Sequence, residues 1–420
     1  MHPSFLAPLQ LTGRLWWRHW PQLMLLVLLG YLANHVLLEA AVRVGLANHV
    51  LGLCVLSAAV LAELLVVIAM FHTLKPSLPR LGTLATSSTA SEPKQRPRAL
   101  DGVSLVLAPF YAYYATWGFL GDSVRQYSLR GLELDPFGQH GQLLDAVHAS
   151  GLLLVVGASW ALRRFALRRA ERTQRAPWQL LVTLCEASWL FIGLFVISKW
   201  KEQFLSWWNS RVVVQAGHDT AQTLFLHLPP PAHSALVSAW GTAHDIALGA
   251  LLPLVWLAMA AMIFGRDVRR ADQLTASNAR LAHIADRYRG LPALPHYIGE
   301  HFIKGYRTRL LPVANCVRLT LGAGITLLLG LCIGYRALHW LSLWAWIGVT
   351  HLIGAHSLDA WQPIGNALGL LLVDPLQINA SLAVEPLRIC LLAAVLESAL
   401  AATEKKVVAS QAPLSVPAQA

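Results

Sequence analysis

The stretch LVTLCEASWLFIGLFVISKW, Leu181–Trp200, begins with eighteen residues that carry no basic side chain, almost all of them apolar, with one carboxylate, Glu186, among them. A helix crosses the ~30 Å hydrocarbon core of a bilayer with about 20 apolar residues, so this run, taken as 178–199, has the length of a membrane span. Seven other segments share its character: 21–42, 48–71, 101–120, 143–162, 236–264, 312–335 and 385–403. The expected fold is an all-α polytopic membrane bundle of about eight transmembrane helices.

The rest of the composition agrees. Hydrophobic residues make up 55% of the 420-residue chain and charged ones 13%, about half the charged share of a soluble domain. The mean hydropathy is +0.50. Tryptophans stand at the ends of the apolar runs, where their amphipathic rings favour the membrane interface: Trp16, Trp17 and Trp20 before the first, Trp178 opening the fifth, and Trp200, Trp207 and Trp208 after it. Cys54, Cys185, Cys316, Cys332 and Cys390 all fall inside apolar runs, which argues for small core residues and against a disulfide framework or CxxC metal site. Arg14, Arg18 and His19 precede a run of full spanning length that lacks a small-residue cleavage site, so the first span is expected to stay uncleaved.

Lysine and arginine set the expected orientation. With both termini cytoplasmic, the inner segments hold 24 of the 33 basic residues. That bias follows the positive-inside rule and accounts for the net charge of +11 through anionic lipid on the inner face, with no nucleic acid needed. The expected organisation is a two-helix hairpin over 1–72, a Ser/Thr/Pro-rich basic linker over 73–100, a six-span bundle over 101–403 and a tail over 404–420, in a cell membrane. The inner loop 265–311 repeats apolar residues at helical spacing among arginines, as in Leu274, Leu281, Ile284 and Tyr288 beside Arg280 and Arg287. It reads as basic amphipathic helices on the inner leaflet or as a docking surface for a cytoplasmic or membrane protein partner. The outer segment 336–384 contains ALHWLSLWAWIGVTHLIGAHS and IGNALGLLLV. Crossing twice would leave a cytoplasmic turn, LDAWQP, with no basic residue, so two helices that dip in or lie in the interface are expected.

Four ionisable residues fall at similar depth in the inner half. Glu186 lies eight residues from Trp178 and Glu63 eight residues from Phe71, each ~12 Å deep at ~1.5 Å per residue; Arg318 and Glu397 lie ~9 Å deep. An unpaired charge at such depth costs on the order of 2.5–3.5 kcal/mol. One carboxylate is expected to pair with Arg318 and another, Glu186 or Glu63, to stay protonated and take part in proton-coupled movement. The competing reading is a static pair or hydrogen bond that fixes helix register, with Glu397 snorkelling to the inner interface.

At the outer mouth, Asp145 with His148 and His244 with Asp245 are candidate proton-handling groups, or simply polar helix ends. His35 and His49 also lie near span ends, but no pair has the HxxxH spacing of a helical metal site, and no cofactor or metal is expected. Phosphate-loop, nucleophile-elbow and HExxH patterns are missing. Three function classes stay open: a transporter or permease-like subunit, a non-catalytic assembly or scaffold subunit, and an outer-face redox or lipid-modifying enzyme. All three have membrane lipids as partners.

Overall fold

The computed structural model describes residues 6–80, 106–107, 110–111, 114–115, 119–136, 149–173, 176–212, 214–215, 230–264, 325–372 and 381–411. Among these there is no strand. Nine helices order the description: α1 Leu6–Ala47, α2 His49–Leu74, α3 Phe119–Leu134, α4 Ala149–Thr173, α5 Ala176–Asn209, α6 Pro230–Ile263, α7 Ile325–Ile353, α8 Leu358–Leu371 and α9 Val384–Gln411. In hydrocarbon only a helix satisfies its own backbone polar groups within one segment, which is the physical reason for so uniform a fold.

Among the described residues, five helical stretches are long and apolar enough to cross a membrane: Ala7–Ala47, His49–Ser77, Trp178–Ile197, Ser238–Ile263 and Thr326–Ile353. The first four match segments expected from sequence, while the fifth shares only 326–335 with the expected 312–335 and runs on through residues expected to dip in or lie in the interface. Of the others, 101–120 lies mostly outside the described residues. The segment 143–162 overlaps α4, which runs on through Arg163, Arg164, Arg168 and Arg169. The segment 385–403 belongs to α9, which carries Glu385, Arg388 and Glu397.

Two boundaries move. The basic residues from Arg163 onward do not lie in a loop, because α4 continues to Thr173 before the chain turns into α5. Likewise α7 passes Arg336 without a break and ends at Gly354, whose positive φ of 78° and N–H bond to the Thr350 carbonyl (3.1 Å) make a left-handed helix stop. A charge interrupts an apolar run without interrupting a backbone, which is why both helices outlast the hydropathy signal. The next helix, α8, has 14 residues, ~21 Å at the helical rise, too short to cross. The linker 81–100, the loop 265–311 and the tail beyond 411 lie outside the described residues.

α1 and α2 form an antiparallel hairpin around Asn48. Its extended backbone and side-chain oxygen cap α2 by accepting from the N–H groups of Val50 and Leu51 (3.1 and 3.2 Å). Close to the turn the helices touch backbone to backbone: a Cβ on Gly52 would sit 2.6 Å from the Gly45 Cα and 2.5 Å from the Tyr127 hydroxyl of α3. Burial pushes the Tyr127 phenol up to about 12, so it stays neutral. Farther along, Gly30 of α1 admits Val66 of α2, and His19 bonds the Ser77 hydroxyl at 2.7 Å beyond the end of α2. Small residues that let backbones approach are the usual means of helix association in lipid.

α9 is the central helix. Every residue from Ile389 to Leu396 is at most 2% exposed, with α1, α2, α6 and α7 packed around it. A helix apolar on all sides is stable only where all sides are covered. Phe71 of α2 and Phe264 at the end of α6 close this core edge to face, their rings 5.6 Å apart. α4 and α5 form a second hairpin with a small cluster of its own around Ala166 and Val182.

The close approach at Gly52 gives a direct expectation. Gly52→Val should lower the thermal unfolding midpoint in detergent, with a loss of about 1–3 kcal/mol from overpacking. Gly13→Ala, whose Cβ meets nothing within 4 Å, should leave the midpoint level or raise it. Equal midpoints for wild type and Gly52→Val would show that the helices do not meet there.

Candidate functional site

The antiparallel register of α1 and α2, set by Gly30 against Val66 and by Gly45 against Gly52, brings Asn34 level with Glu63. Asn34 Nδ2 donates to Glu63 Oε1 at 2.9 Å, and the Tyr114 hydroxyl donates to Glu63 Oε2 at 2.6 Å. One helical turn earlier, the Tyr111 hydroxyl donates to the Ser57 carbonyl at 3.0 Å, and its ring meets Phe191 of α5 edge to face. Ser57 also shares a 2.8 Å hydroxyl contact with Ser188 of α5. Tyr111 and Tyr114 therefore both bond α2, the first at a buried position and the second at a part-buried one.

Glu63 faces a cleft of about 390 Å³, its open mouth included. The polar lining is Asn34, Glu63, Tyr114, Asp122, Ser123 and Gln126, the last three from α3, over a floor of Leu38, Leu56, Ala59 and Val60. Among the described residues, the lining contains two carboxylates and no lysine, arginine or histidine. Its chemistry is oxygen-rich and net negative, which suits a proton or a small cation and disfavours an anion.

Both oxygens of Glu63 accept, an arrangement that fits the ionised carboxylate. A proton added to either oxygen would point an O–H at the Tyr114 O–H or the Asn34 amide, so that donor would have to turn away. Proton uptake is thereby tied to the contacts that join α1, α2 and the 106–115 stretch.

Glu186, 1% exposed, meets a different partner. Arg163 Nη2 of α4 approaches its Oε1 at 3.3 Å, an ion pair inside the α4–α5 hairpin. Glu397 of α9, 4% exposed, accepts the Arg80 backbone N–H at 3.0 Å. Arg318 lies outside the described residues. The three carboxylates of the expected layer thus meet partners on four different segments: Asn34 on α1, Tyr114, Arg163 on α4 and Arg80 after α2. Among the outer-mouth candidates, His244 and Asp245 are exposed on α6, 3.4 Å apart, while Asp145 and His148 lie outside the described residues. No group of three or more His, Cys, Asp or Glu side chains that could hold a metal ion gathers among the described residues.

Several partners escaped the sequence reading. Arg163 falls just beyond the apolar run 143–162 and gives no sign of a partner in sequence, although it lies on the α4 face that also carries Ala166 and Leu167. Asn34 was a visible signal, an amide within the apolar run LANHVLL. Tyr114 carried none, since a tyrosine in an apolar helix reads as packing. Two further polar clusters also depend on tertiary contacts. Arg130 of α3 joins Glu39 of α1 at 2.9 Å and pairs with Glu133. Arg388 bonds Glu385 at 2.8 Å and lies 4.9 Å over the Tyr335 ring of α7.

Comparison with protein-family models, with curated proteins and with solved structures gives no match to this chain.

The Arg163–Glu186 pair makes a measurable prediction. Arg163→Leu should cost about 3 kcal/mol, because it takes the guanidinium from a carboxylate that is 1% exposed, and Glu186→Leu should cost less, because Arg163 is 23% exposed and water can reach it. The double variant should recover most of that loss. A double-mutant cycle of unfolding in detergent reads the coupling, and additive single effects would show that the pair does not act as one.

Proposed function

We propose that this chain is a multi-pass membrane protein of the transporter or permease-like kind, in which Glu63 takes up and releases a proton or small cation at the α1–α2–α3 cleft. The observation that carries this reading is a carboxylate in mid-helix held by two neutral, movable donors beside an oxygen-lined cleft. A purely structural carboxylate gains most from a cation locked against it, as Glu186 has in Arg163. Glu63 instead has partners that can rotate, and ionisable groups within membrane segments commonly mark ion and proton pathways. Its orientation has both termini in the cytoplasm of a cell-membrane protein, supported by the excess of lysine and arginine in the inner segments.

An assembly or scaffold role is the second reading. It is favoured by the exposed apolar side chains of α6 and α7, such as Trp240 at 76% and Trp340 and Trp344 at 57% and 56%, and by the basic segment 265–311 as a partner surface.

Reconstitution separates the two. In liposomes under an imposed pH or monovalent-cation gradient, the full chain should dissipate the gradient. Glu63→Gln should reduce that flux to background, and Tyr114→Phe should lower it without abolishing it, while neither changes the yield of folded protein. No flux from the wild type under any of these gradients would favour the scaffold. For orientation, single cysteines at Ser88 and Asp219 should label from opposite faces of sealed vesicles; labelling from the same face would overturn the arrangement.

A further inference from the structure

The arginines of α4 that do not face α5 form a surface with its own chemistry. Residues three and four apart share a helix face, so Arg163, Ala166 and Leu167 lie together on the α5 side. There Arg163 meets Glu186, and Ala166 packs with Val182. Away from α5, Trp160, Arg164 and Arg168 share one face and Phe165 and Arg169 the adjoining one; the three arginines are exposed, as are Trp160 at 52% and Phe165 at 56%. The Arg164 guanidinium lies 5.9 Å over the Trp160 ring. None of these three arginines has a carboxylate partner among the described residues.

Register against α5 gives their depth. Arg163 stands opposite Glu186 and Ala166 opposite Val182, so Arg168 and Arg169 come opposite Leu181 and Leu180, and Arg164 opposite Cys185. The apolar stretch of α5 begins at Trp178. At ~1.5 Å per residue, Arg168 and Arg169 lie ~3–5 Å inside that boundary and Arg164 ~10 Å inside. An exposed guanidinium at this level has two ways to avoid hydrocarbon: a carboxylate, which is not there, or the headgroup layer, which its stem reaches by snorkelling.

We infer that Arg164 and Arg168 beside Trp160, with Arg169 and Phe165 on the adjoining face, form a binding site for the headgroup of an anionic phospholipid. Guanidinium pairs with phosphate in a two-pronged hydrogen bond, and the neighbouring rings cover the start of the acyl chains at interfacial depth. The charge selects the lipid class. A zwitterionic headgroup brings an ammonium beside its phosphate and leaves three positive charges uncompensated, whereas phosphatidylglycerol offers net negative charge to an all-positive cluster. The site is independent of the transport reading, since it uses none of the Glu63 machinery.

The test is retention of lipid by the full chain. Protein in nanodiscs of equal phosphatidylglycerol and phosphatidylcholine is released into the gas phase, and the bound lipids are counted by native mass spectrometry. Wild type should retain phosphatidylglycerol preferentially. Each Arg→Gln change at 164, 168 or 169 should lower that preference by roughly fivefold, the equivalent of ~1 kcal/mol per basic residue near the headgroups. The triple variant R164K/R168K/R169K, which keeps the charge, should retain most of it, and this guards against loss through misfolding. Arg14→Gln with Arg18→Gln, which removes charge elsewhere on α1, should leave it unchanged. An equal preference in R164Q/R168Q/R169Q and wild type, or no preference in wild type, would overturn the site. So would an equal loss on removing Arg14 and Arg18, which would mean that only total charge matters.

Discussion

A carboxylate set among apolar helices has to be met by a donor, and several of the specific contacts between the described helices answer that requirement. Glu63 draws α1 and the 106–115 stretch to α2, Glu186 draws α4 to α5, and Glu397 draws the segment after α2 to α9. Glu385 holds Arg388 where it covers Tyr335 of α7. Apolar packing alone is weakly directional, and in lipid it lacks the hydrophobic drive that brings helices together in water. A carboxylate with one correct partner discriminates between registers that packing would tolerate equally, because sliding by a turn leaves a charge uncompensated.

Close approach makes those pairings reachable. Asn34 meets Glu63 only because Gly30, Gly45 and Gly52 let α1 and α2 lie nearly in contact along their length. On the other side of the bundle Gly334 of α7 faces Leu391 of α9, whose side chain would lie 3.2 Å from an added Cβ. α9 then serves as the element that the others cover, its middle two turns lacking any exposed surface of consequence.

The two buried glutamates of the first half of the chain illustrate how similar sequence settings acquire different chemistry. Each is a lone acid in a long apolar run. Glu186 received a guanidinium from the neighbouring helix α4, an arrangement suited to holding the hairpin. Glu63 received an amide and a phenol from two separate segments and a cleft with Asp122, Ser123 and Gln126 on its rim, an arrangement in which a proton changes who donates to whom. The contrast lies in the partners, and the partners come from elsewhere in the chain.

What the sequence by itself determined was the class of fold and the burial of its ionisable residues. Runs of about 20 apolar residues have no stable alternative to a helix in hydrocarbon, so four of the five helices long enough to span, and the helical character of α4 and α9, were legible from composition and length. The polar positions Glu63, Glu186 and Glu397 were visible for the same reason. Helix ends were less legible, since hydropathy registers the charge at Arg163 or Arg336 while the backbone continues to Thr173 or Gly354. The pairing of carboxylates was decided by tertiary structure alone. Whether Glu186 meets Arg163, 23 residues away, or Glu63 meets Tyr114, 51 residues away, depends on which helices touch and on which face. Helix contacts in lipid are chosen by shape and by a few small residues, a pattern that leaves almost no trace in the order of the amino acids.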